Sequence, residues 1–205
     1  MTLHDQRIYL ASASPRRREL LKQVGVHFEA LLLRVQHPRC DVNEAPLAGE
    51  RPEDYVVRVA RAKAEAGCMH LHERKLPRFP VLAADTAVTV DGDIIGKPSG
   101  REDAEAILQR LSGKTHQVMT GIAVALEGRI ESTLSISYVE FRKLEPEEIR
   151  RYVATGEPHD KAGAYAIQGR AAVFITCIEG SYSGVMGLPL FETAQLLQKF
   201  HVAVL

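Results

Sequence analysis

The hydrophobic and polar pattern at the start of the chain predicts a strand that leads directly into a helix. An apolar run that begins at Ile8 stops at Ser14, whose hydroxyl is placed to cap the helix. Pro15 suits the first helical position, because its missing N–H would be unpaired there in any case. The pattern then predicts a helix from Pro15 to Val24, which Gly25 ends.

The rest of the chain mixes apolar runs, helical stripes and turn residues without a regular strand–helix rhythm. Further helices are predicted from Pro52, from Arg101 to Leu111, from Pro146 to Ala154 and from Pro189 to about Phe200. Further strands are predicted at Val26 to Leu33, Pro80 to Ala84, Val88 to Val90 with Ile94 to Ile95, Gln117 to Leu126, Ile130 to Phe141, and Val173 to Ile178 paired with Tyr182 to Met186. Loops are expected at Arg34 to Arg51 and at Lys161 to Ala172. This mixture predicts an α/β fold with a mixed, twisted sheet flanked by helices.

The composition narrows the class of protein. A chain of 205 residues that is 45% hydrophobic and 25% charged is expected to fold as one domain, residues 1–205. Lys+Arg 26 balances Asp+Glu 26, which argues against nucleic acid or a membrane surface as partner, so any anion site must be local. Cys40, Cys68 and Cys177 cannot all pair, and neither a signal peptide nor a membrane-spanning run is found, so a cytoplasmic location is expected.

The start of the first predicted helix has the composition of an anion site. Arg16, Arg17 and Arg18 occupy its first turn, where the helix dipole disfavours each cation by roughly 0.3–1 kcal/mol. Free backbone amides and the hydroxyls of Ser12 and Ser14 lie at the same junction, and together these groups are suited to phosphates. The alternative is an ordinary amphipathic helix with a solvated basic end.

A lysine interrupts the apolar stripe of the second predicted helix. Lys63 follows Val56 by seven residues and Val59 by four, so it lies on the buried side of that helix. Its side chain either extends to the edge of the core or directs its ammonium towards a negative group. Arg58 and Arg61 lie elsewhere around the helix and are expected to be solvated.

Asp85 is the strongest candidate for catalysis, because it follows the apolar run Pro80 to Ala84 at the predicted end of a buried strand. It is either a turn-forming residue or a catalytic or metal-binding carboxylate. Mg²⁺ commonly binds one or two carboxylates together with substrate phosphates, and Glu44 in the long loop is the second candidate. Lys97, confined by the proline that follows it, would extend a cationic lining formed by Lys63 and the arginines.

Seven motifs stand in order along the chain. They are Ser12-Ala13-Ser14-Pro15-Arg16-Arg17, Ala60-Arg61-Ala62-Lys63-Ala64, Ala84-Asp85-Thr86, Gly96-Lys97-Pro98, Ser112-Gly113-Lys114-Thr115-His116, Asp160-Lys161-Ala162-Gly163-Ala164-Tyr165-Ala166-Ile167-Gln168-Gly169 and Gly187-Leu188-Pro189-Leu190. In this order they resemble the Maf (septum-formation-inhibitor) family of nucleoside triphosphate pyrophosphatases, over essentially the whole chain from Ile8 to Phe200.

The resemblance implies a hydrolase that uses Mg²⁺ or Mn²⁺ and cleaves a nucleoside triphosphate to a monophosphate and pyrophosphate. It also implies a fold similar to the inosine-triphosphatase-like fold, with two lobes around a cleft. Asp85 matches the catalytic acid, while Glu44, Lys63 and Lys97 match further functional positions, with Asp85 and Glu44 as metal ligands. Arg17 is expected to be a second phosphate clamp. Arg18 is expected to be solvated, and a homodimer is left open.

Three positions are expected to select the base. Arg16, Thr86 and Gln168 match positions at which members resembling seven-methyl-GTP pyrophosphatases carry an aromatic residue, glutamine and glutamate. A neutral glutamine both donates and accepts hydrogen bonds, as thymine and uracil require, so the chain resembles the dTTP/UTP branch. The alternatives are a seven-methyl-GTP pyrophosphatase and a nucleotide-binding regulator of septum formation without turnover.

Overall fold

The computed structural model of the protein describes residues 7–34 and 41–204, so Cys40 lies outside the described residues. These residues gather into two compact units. The first contains the described residues up to Asp85, Thr120–Leu134 and the residues from Gly187 onward, and the second contains Thr86–Met119 and Ser135–Met186. A single domain spanning 1–205 stays a prediction. Within the described ranges, no helix is both long enough and apolar enough to cross a membrane.

The described residues form six α-helices, seven strands and three 3₁₀ turns. The helices are α1 (Pro15–Gln23), α2 (Pro52–Glu73), α3 (Arg101–Leu111), α4 (Pro146–Val153), α5 (Tyr182–Met186) and α6 (Leu190–Lys199). The strands are β1 (Arg7–Leu10), β2 (His27–Ala30), β3 (Val81–Val90), β4 (Asp93–Ile95), β5 (Thr115–Leu126), β6 (Arg129–Phe141) and β7 (Ile175–Glu179). The 3₁₀ turns are Glu157–Asp160, Ala162–Ala164 and Arg170–Phe174.

The strands form a mixed sheet, as the sequence predicts. Their order is β2-β1-β3-β5-β6-β7, and β4 pairs with β3 outside this path. Strand β1 runs parallel to β2 and to β3, whereas β3 with β4 and β6 with β7 are antiparallel. In the β3–β4 hairpin, Val88 lies opposite Ile95 and Val90 opposite Asp93, which confirms the tight turn predicted at Asp91 and Gly92.

The junction between β1 and α1 in the first unit has the predicted cap. The Ser14 backbone is extended, with ψ 119°, and its hydroxyl accepts a hydrogen bond from the backbone N–H of Arg17. Pro15 follows as the first helical residue. At the other end Gly25 has φ +70°, a left-handed conformation that glycine adopts without steric penalty, so the chain turns there into β2.

Helix α2 packs closely against the sheet of the first unit. Val56, Val59 and Ala60 are fully buried, as the apolar stripe predicts. Gly121 on β5 is required by this packing, because a Cβ there would overlap the backbone carbonyl of Val56. A clash with helix backbone cannot be relieved by a rotamer change, so the glycine sets how near the helix lies to the sheet. The contact thereby fixes the position of Lys63, one turn beyond Val59.

The second unit has a separate core that includes an uncharged histidine. The ring centroids of His116 and Phe141 lie 5.0 Å apart, in an edge-on arrangement. The Nε2 of His116 lies 2.9 Å from the hydroxyl oxygen of Tyr165. Burial lowers the pKa of His116 to about 4, because the protonated ring would lose its hydration there. The histidine is therefore neutral in the folded protein near pH 7.

We expect His116 to make the protein less stable in mild acid. Since the unfolded chain takes up the proton near pH 6.5 and the folded protein only near pH 4, the free energy of unfolding should fall across this window. The loss should be about 2–4 kcal/mol, measured by urea denaturation at pH 7 and at pH 4.5. His116→Phe should show a smaller loss between these two pH values. An equal loss in wild type and variant would contradict the assignment.

Three sequence predictions about local structure are wrong. Asp85 and Thr86 do not end a strand, because β3 continues through the buried residues Ala87 to Val90. Tyr182–Met186 is helix α5 and not a strand, because Ser181 caps it: the Ser181 hydroxyl accepts from Gly184 N at 3.0 Å. The segment predicted as a loop from Lys161 to Ala172 contains the 3₁₀ turn Ala162–Ala164 and the start of the turn Arg170–Phe174.

Candidate active site

A lysine in the first unit joins two carboxylates. Lys63 Nζ lies 2.8 Å from Asp85 Oδ1 and 3.1 Å from Glu44 Oε1. The side chains of Lys63 and Asp85 are each 12% exposed, and that of Glu44 is 43% exposed. The sequence left open whether the Lys63 side chain extends to the edge of the core or directs its ammonium towards a negative group. The structure shows the ammonium directed at the two carboxylates.

Asp85 projects from within a buried strand. The whole of β3 is buried except Thr86, so Asp85 lies on a strand that is buried on both sides of it along the chain. Burying a carboxylate without a partner is strongly unfavourable, and Lys63 supplies that partner. The sequence predicted that Asp85 follows the end of a buried strand, whereas the structure places it buried within β3.

The Glu44 and Asp85 charges also act on their neighbours. Burial, together with the negative charges of Asp85 and Glu44, raises the pKa of the Tyr55 hydroxyl to about 12. The same hydroxyl donates a hydrogen bond to the backbone carbonyl of Glu44 at 3.0 Å. Tyr55 therefore stays protonated beside the two carboxylates at neutral pH.

Arg17 lies at the boundary between the carboxylates and the strand–helix junction. Its Nε donates to the carbonyl of Gly187 at 2.8 Å, and a terminal nitrogen donates to Ser12 Oγ at 3.2 Å. Burial lowers the pKa of Arg17, whereas the nearby Asp85 and Glu44 charges raise it. The guanidinium is thus close to both acids and tied into the fold, and its role as a phosphate clamp stays a prediction.

The neighbouring arginines differ in their surroundings. Arg16 is half-buried, and its charge is among those that lower the pKa of Arg17. Arg18 was expected to be solvated, but it is half-buried, and one of its terminal nitrogens donates to the Ala13 carbonyl at 3.1 Å. The first unit therefore brings together most of the predicted site residues: Ser12, Ser14, Arg16, Arg17, Glu44, Lys63 and Asp85.

The remaining three predicted residues belong to the second unit. Thr86 is half-buried on β3, while Lys97 and Gln168 are exposed. The Lys97 loop lies beside the segment that carries Gln168, because the backbone N–H of Gly163 donates to the carbonyl of Gly96 at 3.2 Å. The roles of these three residues stay predictions.

Asp85 and Glu44 have the chemistry that a hard divalent cation prefers. Their carboxylates converge on one position, where the ammonium of Lys63 lies. No group of three or more His, Cys, Asp or Glu side chains gathers as a metal site among the described residues. Two carboxylates nevertheless fit Mg²⁺ or Mn²⁺, since such ions take their other ligands from water and substrate phosphates.

Sequence reasoning missed two residues of this region, Tyr55 and Arg58. Tyr55 was assigned only to the apolar stripe of α2, and Arg58 was expected to be solvated. Both instead donate hydrogen bonds to the loop that carries Glu44. Their partners are backbone carbonyls of an irregular segment, so no local sequence pattern could have indicated them.

The mixed sheet and its flanking helices define an α/β protein, and its first unit holds a lysine between two carboxylates. The chain belongs to the Maf family: the family model described as "Maf-like protein" matches residues 7–200.

Curated relatives align with nearly the whole chain. The "dTTP/UTP pyrophosphatase" of Aromatoleum aromaticum is 60% identical over 95% of each chain. The protein of the same name from Nitrosospira multiformis is 56% identical over 100% of this chain and 99% of its own. That of Nitrosomonas europaea is 54% identical over 96% of each.

The chain is also similar to the solved structure of the Staphylococcus aureus Ham1 protein. The alignment covers 66% of this chain and 71% of the Ham1 chain. It is 19% identical to this chain, with a TM-score of 0.45. The inosine-triphosphatase-like topology expected from the family resemblance stays a prediction.

We expect Lys63 and Asp85 to depend on each other for stability. Lys63→Met should destabilise the protein, because it leaves a buried carboxylate without its partner. The double variant Lys63→Met with Asp85→Asn should lose less unfolding free energy than the two single variants lose in sum. The difference should be roughly 1–3 kcal/mol. Urea denaturation of the four proteins measures this coupling, and additive losses would show that the pair contributes no net interaction.

Proposed function

We propose that the protein hydrolyses dTTP and UTP, and modified pyrimidine triphosphates of similar shape, to the nucleoside monophosphate and pyrophosphate. The curated relatives that carry this activity in their names support the proposal, since they align along nearly the whole chain. The observation that carries it is the Lys63 ammonium between the Asp85 and Glu44 carboxylates. The resulting activity would serve the upkeep of the nucleotide pool.

Each charged residue has a role in the proposed reaction. Asp85 orients or deprotonates the water that attacks the α-phosphorus in line with the leaving pyrophosphate. Lys63, Lys97, Arg16 and Arg17 offset the negative charge that develops on that leaving group. Ser12, Ser14 and the backbone amides at the start of α1 hold phosphate oxygens.

A divalent metal ion is part of the proposal. Asp85 and Glu44 would hold Mg²⁺ or Mn²⁺, which when bound supplies positive charge to the phosphates and acidity to its coordinated water. Lys63 keeps the two carboxylates together before such an ion arrives, because its ammonium balances their mutual repulsion.

Base selection is proposed to depend on Gln168, Arg16 and Thr86. The Gln168 amide has both a donor and an acceptor, which matches the N3–H and carbonyls of thymine and uracil. A cationic seven-methyl-guanine would instead be matched by a carboxylate, which this position lacks.

Replacement of Asp85 tests the catalytic assignment. Asp85→Asn keeps the size of the side chain and removes its charge, so pyrophosphate release from dTTP with Mg²⁺ should fall by at least about 100-fold. Asp93→Asn is a matched control, since Asp93 is an exposed acid on β4 paired with Arg110. Pyrophosphate release by Asp85→Asn equal to that of this control would end the assignment.

A substrate panel separates the alternatives. The wild-type protein should release pyrophosphate from dTTP and UTP with a kcat/KM at least about 10-fold above that for seven-methyl-GTP, because Gln168 is neutral. Preference for seven-methyl-GTP would overturn the role given to Gln168. Binding of nucleotides without any release would favour the regulator of septum formation.

Location and assembly complete the proposal. We propose a cytoplasmic location, supported by the free thiols of Cys68 and Cys177, which suit a reducing compartment. The alternatives for assembly are a monomer and a homodimer, and light scattering of the purified protein distinguishes them by molar mass.

A further inference from the structure

The carboxylate of Glu44 lies on irregular backbone, yet it meets Lys63 at a defined distance. Residues 41–51 form neither helix nor strand, so no regular ladder of hydrogen bonds holds them. A side chain that is 43% exposed on such a segment would ordinarily sample many positions. Some other group must therefore fix the backbone from which Glu44 projects.

Two side chains of α2 hold three consecutive carbonyls of this loop. Arg58 donates to the carbonyl of Asn43 at 3.3 Å and to that of Ala45 at 3.0 Å. Tyr55 donates to the carbonyl between them, that of Glu44, at 3.0 Å. The backbone on both sides of Glu44 is thus bound to α2, the helix that also carries Lys63.

The Arg58 guanidinium is itself held in place. Its Nε lies 2.6 Å from Glu50 Oε1, and a terminal nitrogen lies 2.9 Å from Glu50 Oε2, a two-point pairing. The side chains of Arg58 and Glu50 are 29% and 9% exposed, so solvent screens the pair only in part. A planar guanidinium can meet the carboxylate and two carbonyls at once, whereas the single nitrogen of a lysine cannot.

We propose that Arg58, supported by Tyr55, is a positioning residue for Glu44. By fixing the carbonyls of Asn43 and Ala45, it sets the Glu44 carboxylate against Lys63 and Asp85, where the two acids share one cation. The inference rests on the proposed function, because it takes Glu44 as a ligand of the divalent ion. Arg58 acts through the loop, because its hydrogen bonds reach the loop carbonyls and Glu50.

Arg58→Lys tests the proposal with its positive charge retained. The Mg²⁺ concentration for half-maximal pyrophosphate release should rise about 10- to 100-fold, because residues that orient metal ligands have effects of this size. At saturating Mg²⁺, kcat should recover most of its wild-type value. Tyr55→Phe, which removes one of the hydrogen bonds, should shift the same constant less.

Arg51→Lys is the matched control, because Arg51 is an exposed arginine beside the start of α2 that pairs with Asp54. It should leave the Mg²⁺ requirement unchanged. If Arg58→Lys matches this control, the proposal is wrong. Thermal unfolding of each variant reveals any general loss of folding.

Glu50→Gln loosens Arg58 without removing it. This variant should raise the Mg²⁺ requirement, as Arg58→Lys does.

The double variant with Glu44→Gln separates positioning from general stabilisation. Once the Glu44 carboxylate is gone, Arg58→Lys should have no further effect on the Mg²⁺ requirement. An equal effect in both backgrounds would overturn the proposal.

Direct Mn²⁺ binding, followed by the electron paramagnetic resonance of the free ion with a non-hydrolysable dTTP analogue present, distinguishes the two proposals. If wild type binds Mn²⁺ but releases no pyrophosphate, the proposed function fails, and weaker Mn²⁺ binding by Arg58→Lys still supports positioning. If wild type is active and Arg58→Lys binds Mn²⁺ with unchanged affinity, the positioning role fails and the function stands.

Discussion

The first unit depends on the ion pair between Lys63 and the carboxylates of Asp85 and Glu44. Asp85 lies within a buried strand, and Glu44 brings a second negative charge towards it, so without a cation the arrangement would be strongly unfavourable. The ammonium reaches this point because α2 packs close to β5 at Gly121. A helix–sheet contact made by the smallest residue therefore determines where the charges of the site lie.

Parts of this arrangement could be predicted because their causes are local. The cap at Ser14, the proline after it and the glycine that ends α1 are determined by neighbouring residues. The inward direction of Lys63 follows from helical periodicity. These features need no knowledge of which elements pack together.

Other parts depend on contacts between distant segments and were therefore missed. In the sequence, a polar residue after an apolar run indicates the end of a strand. Strand β3 instead continues past Asp85, because Lys63, 22 residues earlier, neutralises the buried carboxylate. Ser181 indicates a turn as readily as a helix cap, and its contacts decide for α5. The family resemblance supplied Thr86 and Gln168, which no pattern of spacing connects with the other site residues.

Helix α2 bears the groups that act on Glu44, since Arg58 and Tyr55 bind the loop backbone and Lys63 binds the carboxylate. The directions of Arg58 and Lys63 are linked by the helix. Lys63 is five positions after Arg58, so helical pitch sets the angle between them at about 140° around the helix axis. Inserting or deleting one residue between them would change this angle by about 100°, and the two groups could then not both reach the Glu44 loop as they do here. During divergence of the family the length of this stretch of α2 should therefore stay constant.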